Sequence, residues 1–166
     1  MVRFEVWSAP GADDPRAAAL ARAAELGSGA AVERVLVYLM FGALTDGACD
    51  RLAEQLLSHP TTQQWCWTRF GGMPNGPAAH RTAGGAGSVT VEVHPLPGVM
   101  DPAAASVHAA ALTLVGESVD VQTGVRYDFR GVAADLARAA IERTAANPVV
   151  HAVVDGRHHP RVFPSG

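Results

Sequence analysis

VRFEVWSAPGADDPRAA (residues 2–18) returns as VTVEVHPLPGVMDPAAA (residues 89–105). At that offset of 87, 11 of the 25 positions from Val2 to Leu26 are identical. The later part of each copy matches at an offset of 88, where LLSHP (56–60) falls on TAANP (144–148), both closing a helix-like stretch. A period this long, present twice, is neither a solenoid unit nor an array. Its simplest reading is a small domain that pairs with a copy of itself, here joined into one chain. Such a pair keeps the two-fold relation of a homodimer while its copies diverge.

Hydrophobic periodicity fills in each copy. Val2, Phe4 and Val6 alternate with Arg3, Glu5 and Trp7, the period of a strand. Pro10-Gly11 breaks it. Asp14 then caps a helix whose first-turn Pro15 has no N–H to satisfy, and Gly27 is the expected left-handed end. VERVLVYLMF (32–41) is a strand apolar on both faces, so both should be covered. Thr45-Asp46 opens a helix with Cys49, Leu52, Ala53 and Leu56 on one stripe, and residues 63–70 form a third strand. The second copy repeats β-α-β-α-β: a strand from Val89, a helix from Asp101-Pro102 to Gly116, a strand to Phe129, a helix striped by Leu136, Ala140 and Ile141, and a strand to Val154. Its middle strand differs from the first copy in having one polar face: Gln122, Gly124, Arg126 and Asp128.

The expected architecture is α+β. It consists of two tandem β-α-β-α-β repeats (1–70 and 89–155) forming an intramolecular pseudo-dimer, with antiparallel sheets and helices packed on one face. Residues 71–88, with six glycines and two prolines, read as a linker, and 156–166 as a tail. Each repeat alone is near the size at which one core is marginal, which favours a shared body.

Composition excludes several chemistries. All 13 basic residues are Arg, so no lysine Schiff base or Walker A lysine exists. A net charge of −3 gives no electrostatic case for nucleic acid. No long apolar run suggests a membrane span, and two cysteines make no disulfide scaffold; a cytoplasmic protein with free thiols is expected. The Gly84–Ser88 run precedes a strand, whereas a phosphate cradle follows one. His158-His159 with His151 offer no fixed metal cage. Cys66, between Trp65 and Trp67, lacks the helix N-terminus or base that activates a thiol. Trp7, Trp65 and Trp67 are either core or aromatic anchors for a partner. The residues show no catalytic constellation, no metal site and no cofactor site.

Three segments carry a resemblance: PGADDP (10–15) with PGVMDP (97–102), VQTGVRYDF (121–129), and AANPVV (145–150). In this order and spacing they resemble the PurS family, the small subunit of phosphoribosylformylglycinamidine synthase. They also resemble the duplicated N-terminal domain of the large single-chain enzyme. The resemblance implies a non-catalytic accessory subunit, without cofactor, that bridges a glutaminase subunit and an ATP-dependent synthetase subunit so that ammonia passes between them in purine biosynthesis. It points to Gly124, Arg126 and Tyr127 as partner contacts, beside the three tryptophans. The family's Gly-basic pair is spread here over Gly124-Val125-Arg126, and residues 35–41 of the first copy carry neither Gly nor base. Two other readings stand beside it: the same scaffold serving a synthetase-like enzyme of a specialised nucleoside pathway, and a small-molecule-sensing regulatory domain.

Overall fold

The structure is a computed structural model, which describes residues 1–79 and 87–158. The elements run β1 (Val2–Ser8), α1 (Pro15–Ala23), β2 (Ala31–Phe41), α2 (Asp46–Leu52), a π-helical turn (Ala53–Leu57), β3 (Gln63–Arg69), β4 (Pro74–Asn75), β5 (Ser88–Pro95), α3 (Pro102–Val115), β6 (Asp120–Arg130), α4 (Ala134–Thr144) and β7 (His151–Asp155). All seven strands join one antiparallel sheet in the order β4-β3-β1-β2-β6-β5-β7. The fold is α+β.

Setting β4 aside, the order reads the same from either edge when β1, β2 and β3 are exchanged for β5, β6 and β7. The halves meet at β2 and β6, along eleven register pairs from Ala31 opposite Arg130 to Phe41 opposite Asp120. Register also fixes which residues correspond. Val2 faces Met40 and Val89 faces Phe129. An offset of 87 on the outer strand (89 − 2) therefore goes with 89 on the inner one (129 − 40).

The helix starts form as local chemistry dictates. Asp14 accepts from the Arg16 and Ala17 N–H groups, Thr45 Oγ1 from Ala48, and Asp101 from Ala104, each satisfying amides that a first turn leaves free. Gly116 ends α3 with φ +76°. At the end of α1 the left-handed residue is Glu25 (φ 52°), not Gly27. The Leu26 N–H reaches back to the Ala21 carbonyl, and that closure drops Leu26 onto the core two residues earlier than glycine placement suggests. The helix expected to stripe through Leu56 widens instead into the π turn, which brings Leu57 to 5% exposure.

One row of register partners, Val6–Leu36–Val125–Val93, crosses four strands on a single face. The helices cover that face in two pairs. α2 packs with α3 over Val2, Phe4, Val6 and Met40. α1 packs with α4 over Val91, Val93, Tyr127 and Phe129.

The expected linker is partly ordered into the first half. Pro74 and Asn75 pair with Thr68 and Trp67, and Ala78 is buried against Trp7, Val35 and Cys66. Glycine is required on the way: Gly76 (φ +106°) lies over the Trp65 ring, where any side chain would collide. Residues 80–86, which hold Gly84 and Gly85, lie outside the described residues. So do 159–166 of the tail, including His159.

Candidate functional site

The helix-free face holds the polar residues of β1, β5 and β6. Strand alternation sends Arg3 and Glu5, Glu92 and His94, and Arg126 and Asp128 to this side. All six are buried. β1 and β5 are separated by two strands, yet Arg3 bonds Glu92 with both Nη atoms. The long side chains of these two strands thus reach across and meet above β2 and β6.

The contacts form a continuous chain. Arg3 Nε donates to Glu5 Oε1 at 2.7 Å, and Arg126 Nη1 lies 2.6 Å from the same oxygen. Arg126 Nε donates to Asp128 Oδ2 at 3.0 Å, and Thr90 Oγ1 donates to Asp128 Oδ1 at 2.7 Å. Glu92 Oε2 lies 2.9 Å from His94 Nε2 and accepts the His158 N–H at 3.0 Å. Burial opposes the charge on Glu92. The bond from His94, the charge and bonds of Arg3 and the His158 N–H outweigh it and hold its carboxyl down to about 2. Glu5 is likewise lowered: burial works against ionisation, and Arg126, Arg3 and Arg157 overcome it.

This arrangement keeps charges ionised and fixed; it does not poise a proton for transfer. The thiols point the same way. Burial pushes Cys49 and Cys66 up to about 11, far from a nucleophilic thiolate. Among the described residues no group of three or more His, Cys, Asp or Glu could hold a metal ion. Among the same residues, no helix is long and apolar enough to cross a membrane.

The candidate contact residues divide between the two faces. Gly124 and Arg126 belong to the cluster, and Arg126 is 3% exposed. On the polar face of β6, Gly124, Arg126 and Asp128 are buried and Gln122 half-buried, so the charged pair belongs to an ion network rather than to the surface. Tyr127 is buried on the helical side with Phe129 and Ile141. Trp7 and Trp67 are core residues, and the Trp67 Nε1–H donates to Asp50 at 2.8 Å. Trp65 alone of the six keeps partial surface; with Trp67, Asp46, Asp50 and Glu54 it lines a recess beside β4. The structure does not gather the six into one patch. Glu92 and His94, the centre of the cluster, carry the same alternation as any half-exposed strand, and that pattern has no mark of their burial.

The chain matches no family model, no curated protein and no solved structure.

Proposed function

We propose that the chain is an intramolecular pseudo-dimer of a PurS-type domain. In this reading it is a non-catalytic accessory subunit of a phosphoribosylformylglycinamidine synthase-type complex, bridging glutaminase and ATP-dependent synthetase subunits in purine biosynthesis. The observation that carries the reading is the palindromic order β3-β1-β2-β6-β5-β7, in which each half contributes β-α-β-α-β and the halves meet edge to edge. It supports fusion of a domain that once paired with itself, which is what the sequence repeat implies. The paired PGxxDP turns at the starts of α1 and α3 fit the same resemblance.

The test uses the full chain with the glutaminase and synthetase proteins of the same organism. The chain should co-purify with them and raise the glutamine-dependent rate, leaving the rate with free ammonia unchanged. An identical glutamine-dependent rate without the chain would overturn the reading. If the co-purified synthetase acts on a specialised nucleoside precursor, the scaffold role stands and the pathway changes.

A further inference from the structure

The ion cluster is short of one cation until the chain returns to it. On the strands, three carboxylates (Glu5, Glu92 and Asp128) face two permanent cations, Arg3 and Arg126. Around them stand Glu33, opposite Asp128 on β2, Cys66, opposite Glu5 on β3, and His94 on β5. Beyond β7, Gly156 turns the chain at φ +79° with its N–H on the Thr90 carbonyl. Arg157 then reaches Glu5 at 3.5 Å. His158 bonds Glu92 through its N–H and accepts from Arg3 through its carbonyl at 3.3 Å, with its ring 4.6 Å from that of His94.

The three arginines are not equivalent. The side chains of Arg3 and Arg126 are 6% and 4% exposed, whereas that of Arg157 is 36% exposed and makes the longest ion pair of the group. It is the member that can leave without unfolding a strand. We propose that residues 156–158 form an exchangeable strap across the helix-free face. Arg157 is a guanidinium plug that completes the charge balance, and lifting it opens a site for the guanidinium group of an arginine on another molecule. The forked donor geometry suits a carboxylate already held by two other guanidinium groups better than an ammonium does.

The experiment is thermal melting of the full chain and of Arg157→Ala at neutral pH. Loss of a partly exposed pair should lower the midpoint by about 2 °C. Ethylguanidinium at about 10 mM should restore the variant and leave the parent unmoved, while ethylammonium restores neither. An unchanged midpoint, or a guanidinium effect equal in parent and variant, would each overturn the proposal. The readout needs no partner protein, so its failure is separate from failure of the accessory-subunit reading.

Discussion

His94 occupies the space that a side chain at position 124 would take: a methyl group on Gly124 would come within 2.3 Å of two atoms of the imidazole ring. The matching position to His94 in the first half is Trp7 (94 − 87), and to Gly124 it is Val35 (124 − 89). Trp7 and Val35 lie opposite each other across β1 and β2. The halves have thus settled one pair of sites in two ways, an indole beside a valine and an imidazole over a bare backbone. Gly124→Ala should push His94 off Glu92 and destabilise the fold by about 2 kcal/mol, as overpacking of a closed site does. Urea unfolding measures it; an unchanged midpoint would show that the ring has room to move.

Glu92 governs stability in acid. Its carboxyl lies at about 2 in the folded chain, below the ordinary 4.5, so its contribution is complete above about pH 5 and drains away as pH falls toward 2. Glu92→Leu should cost about 3 kcal/mol at neutral pH, because it removes one of the two carboxylates that hold Arg3 and takes the acceptor from the His158 N–H. The gap between variant and parent should close on acidification. Denaturant midpoints taken across that range decide it, and a gap that stays constant would refute the assignment.

Arg126→Ala should fail as a surface probe. The polar face of β6 looks like a place to remove a contact without harming the fold, but Arg126 holds Glu5 and Asp128 in the buried network. A loss of about 3 kcal/mol is expected. Circular dichroism melting reports it, and a melting point within a degree or so of the parent would mean that the network is dispensable.

The two Asp-Pro helix starts should differ in strength. Asp14 caps α1 and reaches β2 only through a long 3.8 Å pair with Arg34, and replacing it by alanine should cost about 1 kcal/mol. Asp101 caps α3 and also accepts the Thr123 N–H and hydroxyl, at 3.3 and 2.8 Å, tying the helix to β6. Asp101→Ala should cost about 2 kcal/mol. Equal losses in chemical denaturation would deny the second role.

Local features were legible in the sequence, and non-local ones were not. Asp14, Thr45 and Asp101 act within their own first turns, so their neighbours suffice to identify them. The doubly apolar strand through Leu36 to Phe41 announced that both its faces are covered. Alternation placed Arg3, Glu5, Glu92 and Arg126 on the side away from the helices but could not show that this side closes on itself. That closure joins side chains of β1 and β5, which two other strands separate, and no short window of sequence contains both. Ala78 escaped for a similar reason: one small residue in a glycine-rich stretch has no period, and its burial comes from Trp7 and Cys66 on distant strands.

Neither apolar cluster under the helices respects the boundary between the repeats. One joins Val2, Phe4 and Leu52 to Ala111 and Val119; the other joins Leu20, Leu26 and Val32 to Phe129 and Ile141. The chain should therefore unfold as one cooperative unit in calorimetry, with a single heat-absorption peak whose van't Hoff and calorimetric enthalpies agree. A defect in either copy is shared by both, and so is any added stability. Selection on the pair then acts on a sum, which leaves each copy room to drift as long as the other compensates.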